Sequence, residues 1–265
     1  EDVVGQKHVT QTLVNAIQSS RVSHAYLFSG SRGIGKTSVA RILAKALRCL
    51  DNRSGTPCNV CVACTGVVNG SSVDVIEIDG ASNNGVETIR ELRDTVNYFP
   101  QSGNYKVYII DEVHMLSQSA FNALLKTLEE PPPHVIFIFA TTEPHKIPAT
   151  VISRCQRFDF KRIGMKELVK NLKIITDQEQ IEISKEGLFL IAKYAEGGFR
   201  DALSILDQVI SYCGKKVDEK QITEVLGCVD RSQLLLACTK IIEKNVPAAL
   251  EVIDDVYERG YDIKT

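Results

Sequence analysis

The sequence predicts an α/β fold: a parallel sheet covered by helices in its first part, and a small all-α domain behind it. Three observations lead there. Short apolar runs alternate with segments of helical periodicity as far as Phe160, the pattern of parallel strands joined by crossover helices. The stretch Gly30-Ser31-Arg32-Gly33-Ile34-Gly35-Lys36-Thr37 fits the phosphate-loop pattern G-x-x-x-x-G-K-[ST] at every fixed position, between one such run and one such segment. From Met165 onward the strand-like runs stop and the remaining segments read as helices.

Taken in order, Val9 to Ile17 reads as a short helix and His24 to Ser29 as the first strand. The loop follows, and then a helix from Thr37 to Leu47 with Val39, Ala40, Leu43, Ala44 and Leu47 on one face. Glycines allow backbone N–H groups to turn inward on phosphate oxygens, and the helix that follows adds the positive end of its dipole. Lys36 offers a point charge for the β and γ phosphates, and Thr37 a hydroxyl for Mg²⁺. Gly30, Gly33, Ile34, Gly35, Lys36, Thr37 and Ser38 form the expected cradle for the nucleotide.

Val73 to Asp79 alternates as a second strand, Glu87 to Val96 is helical, and Lys106 to Ile110 is a buried strand ending in Asp111-Glu112. A carboxylate pair at the end of an apolar strand can be a solvated terminus. Downstream of a phosphate loop it has a chemical meaning: Asp111 holds Mg²⁺ or its water, and Glu112 polarises a water for attack on the γ phosphate. His114 reads as a satisfied structural histidine rather than a catalyst. Ser117 to Leu128 is helical, stopped by Glu129-Glu130 and Pro131 to Pro133. His134 to Ala140 is a strand buried on both faces, ending at Thr141-Thr142, where a hydroxyl either senses the γ phosphate or caps the strand. Pro148 to Cys155 contains a short helix and Gln156 to Phe160 a last strand. Lys166 to Thr176, Ser184 to Ala195, Phe199 to Tyr212 and Asp218 to Leu226 are helices, then Arg231 to Lys244 and Ala248 to Arg259.

Cys49, Cys58, Cys61 and Cys64 stand in the pattern C-x8-C-x2-C-x2-C. Closely spaced thiolates suit tetrahedral Zn²⁺, and four of them leave no open position for chemistry. An iron–sulfur cluster of the bacterial ferredoxin pattern needs a further cysteine followed by proline, and Val68-Asn69 stand there instead. Cys155, Cys213, Cys228 and Cys238 are scattered and read as free thiols. The chain's 265 residues suffice for two domains and part of a third. Its formal net charge of −2 excludes a uniformly basic surface made for any polyanion. No apolar run approaches the roughly 20 residues of a membrane span, and no leader pattern stands at the start. The cytoplasm is the expected place, which makes disulfides a poor account of the cysteines. The abrupt opening at Glu1 and the stop at Thr265 read as cuts in a longer chain.

These residues together resemble the clamp-loader ATPases of bacterial replication, within the AAA+ family, over the whole chain. The carriers are Val3-Val4-Gly5-Gln6, Asp111-Glu112-Val113-His114-Met115-Leu116, Phe121 to Pro131, the four cysteines, Ser153-Arg154-Cys155 and Gly198-Phe199-Arg200-Asp201. The resemblance implies an AAA+ core over 1–162 with a zinc module at about 49–70, a helical lid over 163–228, and the beginning of a truncated helical oligomerisation collar over 229–265. It places Val4 beside the adenine and makes Thr142, with Thr141 as the adjacent alternative, the first γ-phosphate sensor. Arg154 reaches the nucleotide of a neighbouring subunit in trans, and Arg200 senses phosphate in cis. The catalytic set is then Lys36, Asp111, Glu112, Thr142, Arg154 and Arg200, with ATP, Mg²⁺ and Zn²⁺ as ligands. The implied partners are the delta and delta prime subunits, further copies of the motor subunit, the sliding clamp, and primer–template DNA held by backbone contacts. For DNA the candidates are the helix starting near Asn84, with Arg90 and Arg93; each is otherwise a solvated charge. No residues resemble a polymerase site. Two other readings stand beside this one. A loader subunit that binds ATP without hydrolysing it is disfavoured by Lys36, Glu112 and Arg154. A different AAA+ DNA-remodelling ATPase is disfavoured by the Ser-Arg-Cys motif and the cysteine module.

Overall fold

Strands that are apolar on both faces need cover on both, and that requirement shapes the first part of the molecule. A computed structural model describes residues 3–51, 55–227 and 231–258, and its contacts divide the chain into two units, Glu1–Ile163 and Gly164–Thr265. The first unit runs α1 (Lys7–Gln18), β1 (Ala25–Ser29), α2 (Lys36–Arg48), α3 (Val62–Val68), β2 (Val75–Asp79), α4 (Val86–Val96), β3 (Lys106–Asp111), α5 (Gln118–Glu129), β4 (Val135–Thr141), α6 (Ala149–Ile152) and β5 (Gln156–Asp159). The strands form one parallel sheet in the order β2-β3-β4-β1-β5. Successive strand residues point to opposite faces. Tyr108 and Ile110 of β3, with Phe137 and Phe139 of β4, therefore enter the core beneath α4 and α5. Val107, Ile109, Ile136 and Ile138 enter the core beneath α1 and α2. The fully buried strand expected around His134 to Ala140 is β4, buried at every residue.

The strand order has a functional consequence. The chain leaves β1, which lies between β4 and β5, and returns at β2 on the far edge. Such a reversal opens a crevice at the carboxyl ends of the strands, where open α/β sheets bind ligands. The phosphate loop, Asp111 and Thr141 all emerge at those ends, with Ser29 opposite Thr141 in the β1–β4 register and Asp79 opposite Asp111 in the β2–β3 register.

Behind the crevice, a buried ion pair ties three segments together. The Arg48 and Asp74 side chains are 1% and 4% exposed. Arg48 Nη2 donates to Asp74 Oδ2 at 2.6 Å and to Ser102 O and Oγ at 2.9 and 2.8 Å, and Nη1 donates to Ser72 Oγ. Asp74 also accepts the backbone N–H groups of Gln101 and Ser102 at 3.0 and 3.2 Å. The end of α2, the approach to β2 and the loop before β3 are thereby held in one network.

The second unit contains α7 (Met165–Gln178), β6 (Glu182–Ile183), α8 (Lys185–Tyr194), α9 (Phe199–Cys213), β7 (Lys216–Val217), α10 (Glu219–Val225), α11 (Arg231–Ile242) and α12 (Val246–Glu258). The expectation that strands stop at Met165 needs correction: β6 and β7 pair in parallel as a two-stranded sheet. Each is two residues long, too short for a periodic signal, and the pairing joins segments separated by α8 and α9. The remaining elements are helical as expected. Leu168, Leu172, Leu188, Ile191, Leu206, Val209 and Ile222 are buried. Ser184 caps α8 by accepting the Gly187 N–H at 3.0 Å, and Asp218 and Gln221 form a capping box on α10. α11 and α12 pack on each other and expose Leu235, Ile241, Ile242, Val246 and Leu250. Cys228 and the expected 228/229 boundary lie outside the described residues. Among the described residues no helix is long and apolar enough to cross a membrane.

Candidate nucleotide site

The loop between β1 and α2 turns on three glycines with positive φ, Gly30, Gly33 and Gly35. At Gly30, with φ +145°, an added Cβ would stand 2.6 Å from the Phe160 carbonyl oxygen and 2.7 Å from Ile34 Cδ1. Gly35 begins α2 in the left-handed region, at φ 97°, with no side chain to cap the helix. The first amide groups of α2 keep their donors for a ligand. Lys36 is 6% exposed. Its Nζ donates to Gly30 O and Ser31 O, both at 2.8 Å, which places the ammonium inside the loop. Burial pulls its pKa below the ordinary lysine value, while the Glu112 and Asp111 carboxylates act in the opposite sense.

Thr37 Oγ1 donates to Asp111 Oδ2 at 2.6 Å, so the two residues expected at Mg²⁺ stand side by side at the loop's mouth. Asp111 Oδ1 accepts the Glu112 backbone N–H at 2.9 Å. Glu112 adopts φ 43°, ψ 46°, a left-handed conformation that costs a non-glycine residue roughly 1–3 kcal/mol and persists only where surroundings enforce it. Gly80 packs against this bend: a Cβ there would lie 2.7 Å from Glu112 O. The bend brings the Glu112 carboxylate to Thr142, whose backbone N–H and Oγ1 donate to Oε2 at 3.2 and 3.0 Å. Thr141 faces the other way. It is fully buried, and its Oγ1 accepts the Glu143 backbone N–H at 3.0 Å and lies 3.0 Å from His114 Nδ1. His114 is satisfied, as expected, but one of its neighbours is Glu112 itself, with Nδ1 3.3 Å from Oε2. The ring's other neighbours, Thr141 and Glu143, lie far downstream at the end of β4 and just beyond it, so this arrangement could not be read from the segment around His114.

The other expected residues are distributed as follows. Val4 is half-buried in a segment pinned by Gln6, whose side chain donates to Lys161 O at 2.7 Å and accepts the Lys161 N–H at 3.1 Å. Val3 lines a cavity of about 540 Å³ together with Leu13, Val39 and Leu43. Gly33, Ile34 and Ser38 lie in the loop and the first turn of α2. Arg154 follows α6, donates to Glu129 Oε1 and Thr150 O, both at 2.7 Å, and among the described residues has no hydrogen bond to the loop, Asp111 or Glu112. Arg200 is exposed in the first turn of α9, in the second unit. Arg90 and Arg93 are exposed on α4, and Asn84 is exposed just before it.

The cysteine segment folds around α3, a short helix that its apolar spacing did not announce. The Sγ atoms of Cys49, Cys58, Cys61 and Cys64 all lie within 4.8 Å of one another. Backbone N–H groups of Cys58 and Cys61 donate to Cys49 Sγ and Cys58 Sγ, both at 3.3 Å. Backbone hydrogen bonds at Leu50 and Cys64 push the Cys61 thiol down to about 6, while burial pushes Cys64 up to about 12.

A phosphate loop at the reversal point of a β2-β3-β4-β1-β5 parallel sheet, followed by a helical unit, defines the AAA+ class of P-loop fold. A solved structure of the Thermotoga maritima RuvB Holliday junction branch migration motor shares that fold, with a TM-score of 0.63 at 17% identity over 90% of this chain and 76% of that one. Family models match along the chain: "DNA polymerase III, delta subunit" over residues 5–164, "DNA polymerase III clamp loader subunit, ATPase lid domain" over 167–215, and "DNA polymerase III subunits gamma and tau domain III" over 217–265. The chain is 55% identical over 262 residues to DNA polymerase III subunit tau of Bacillus subtilis and 46% identical over 261 residues to that of Escherichia coli. It is 42% identical over 261 residues to DNA polymerase III subunit gamma of Buchnera aphidicola from Acyrthosiphon pisum, covering 98% of this chain and 72% of that protein. The chain belongs to the gamma/tau family of DNA polymerase III clamp-loader subunits. It spans 46% and 41% of the lengths of the two tau subunits.

Proposed function

We propose that this chain is the ATP-hydrolysing motor part of a DNA polymerase III clamp-loader subunit, which uses ATP binding and hydrolysis to load the sliding clamp onto primer–template DNA. The observation that carries the reading is the 2.6 Å contact between Thr37 and Asp111 at the mouth of the phosphate loop, with Glu112 held next to it by Thr142. In this reading Lys36 and the amide groups of the loop bind the β and γ phosphates. Thr37 and Asp111 hold Mg²⁺, which when bound neutralises charge on the phosphates. Glu112 takes up the proton of the attacking water. Thr142 suits the sensor role better than Thr141, since it touches Glu112 while Thr141 is buried against His114 and Glu143. Arg154 acts on a neighbouring subunit's nucleotide, Arg200 on its own, and Val4 lies beside the adenine.

The cysteine cluster fits zinc. With Zn–S bonds of about 2.3 Å, a tetrahedral site sets its sulfurs about 3.8 Å apart, and Cys58 Sγ and Cys64 Sγ stand 4.0 Å apart. The proposed partners are delta, delta prime, further gamma/tau copies, the sliding clamp and the DNA backbone, in the cytoplasm. The exposed apolar residues of α11 and α12 suit assembly into a collar. The divisions proposed are the core over 1–162, the lid over 163–228 and the start of the collar over 229–265. The test is Lys36→Ala in the full-length subunit within a complete loader. It should weaken ATP binding and abolish turnover at that site; near-normal ATPase would sink the assignment.

A further inference from the structure

His114 follows Glu112 in a 3₁₀ turn, Val113–Met115, which aims its ring back at the end of β4. Its side chain is 6% exposed. Nδ1 lies 3.0 Å from Thr141 Oγ1 and 3.3 Å from Glu112 Oε2, and Nε2 lies 3.1 Å from Glu143 Oε2. Glu143 is itself held in place: its backbone N–H donates to Thr141 Oγ1 at 3.0 Å, and its carboxylate accepts Lys146 Nζ at 2.8 Å. Thr142 closes the circuit by donating twice to Glu112 Oε2. Among the described residues, the hydrogen bonds to the Glu112 carboxylate converge on that one oxygen.

The donor inventory constrains the ring. Both ring nitrogens face a carboxylate, Nε2 that of Glu143 at 3.1 Å and Nδ1 that of Glu112 at 3.3 Å. Among the described residues Nδ1 has the Thr141 hydroxyl as a second partner and Nε2 has none, so the proton of a singly protonated ring belongs on Nε2, which donates to Glu143. Nδ1 then faces Thr141 Oγ1 and Glu112 Oε2. In the neutral ring it accepts from the threonine hydroxyl, and in the charged ring it donates to that pair of oxygens. In both states the imidazole defines the wall against which Glu112 Oε2 rests. The wall is braced from the far side by Glu143, and it joins the end of β3 to the end of β4.

We propose that His114 is a positioning residue for hydrolysis: anchored on Glu143 through Nε2, it seats the Glu112 carboxylate against Thr142 through Nδ1. This rests on the reading of Glu112 as the residue that activates water. Misplacing a catalytic group by about an ångström costs roughly a hundredfold in rate, which sets the scale of the effect.

The experiment compares His114→Ala, His114→Asn and His114→Gln, with Glu112→Gln as control, in the full-length subunit assembled into its loader. Steady-state ATPase, the KM for ATP and the melting temperature are measured. Asparagine places a polar atom near the Nδ1 position and glutamine places one near Nε2. His114→Ala and His114→Gln should lose roughly ten- to a hundredfold in kcat, with KM changed by less than about threefold because Lys36 and Thr37 are untouched. His114→Asn should recover most of the rate. If His114→Ala keeps its kcat, or if the asparagine and glutamine variants lose rate equally, the ring only fills space and the proposal is wrong. Should the alanine variant fail to fold, the two polar variants decide between them. If Glu112→Gln stops turnover while the His114 variants do not slow it, this inference alone fails. If Glu112→Gln leaves turnover intact, the reading of Glu112 fails first and takes the inference with it.

Discussion

Replacing Glu112 by glutamine separates binding from chemistry at this site. The amide keeps an oxygen that can accept both Thr142 hydrogen bonds, now 3.0 and 3.2 Å from Oε2, and the left-handed bend at φ 43° is set by the backbone. The side chain should therefore stay where it is and lose only its basicity. A positioned general base contributes roughly 10²–10⁴ in rate, or about 2.7–5.4 kcal/mol of barrier. Lys36, Thr37 and Asp111 are unchanged, so ATP affinity should move by less than about threefold, well under 1 kcal/mol. The assay is a fluorescent-nucleotide titration paired with single-turnover hydrolysis in the assembled loader. A fall in affinity with an unchanged rate per bound ATP would refute the reasoning. Glu112 would then be a metal ligand, and the division of roles with Asp111 would be wrong.

Three further outcomes follow from the same geometry. Metal analysis of the gently purified protein should give one zinc per chain, bound by Cys49, Cys58, Cys61 and Cys64; less than about half an equivalent, or iron instead, would count against it, and stripping the metal should lower stability without removing a catalytic group. Arg154→Ala, placed in a Lys36→Ala subunit of a mixed complex with partners in known positions, should slow the neighbouring site; guanidinium groups delivered in trans give roughly 10³–10⁵ in GTPases, and an unchanged neighbour would leave Arg154 as a surface charge paired with Glu129. Arg48→Met should strand the buried Asp74 carboxylate, which is 4% exposed. Breaking such a pair costs about 3–5 kcal/mol, or roughly 9–15 °C in the melting temperature of a unit of this size; a calorimetric shift of under about 3 °C would contradict the buried network.

Much of the fold was legible because the strands are driven by burial. Val107 to Ile110 and Val135 to Ala140 carry no polar residue other than the Tyr108 hydroxyl, and such runs have few alternatives to a doubly covered sheet. The phosphate loop was legible because its glycines answer local backbone demands, such as the positive φ of Gly33 and Gly35. What stayed hidden depends on tertiary pairing. β6 and β7 are two-residue strands with no local period, and α3 is a seven-residue helix whose Val-Ala-Cys-Thr-Gly-Val-Val sequence has weak helical preference. At Thr141-Thr142 the residue types left two sensor candidates. Only the alternation at the end of β4 turns one hydroxyl toward His114 and the Glu143 N–H and the other toward Glu112. The contacts of His114 are invisible for the same reason: its own segment implies a satisfied ring but not that Thr141, Glu143 and Glu112 satisfy it.

The central claim is that this site is a clamp-loader motor rather than a generic nucleotide pocket. The most direct measurement is ATP turnover by the full-length subunit reconstituted with its loader partners, with and without the sliding clamp and primed DNA. The chain should co-purify with those partners, its turnover should rise steeply on assembly because Arg154 of each subunit then reaches a neighbouring site, and turnover should rise again when clamp and primed DNA are added. Turnover that is the same for the isolated chain and the loaded assembly, and indifferent to clamp and DNA, would contradict the central claim.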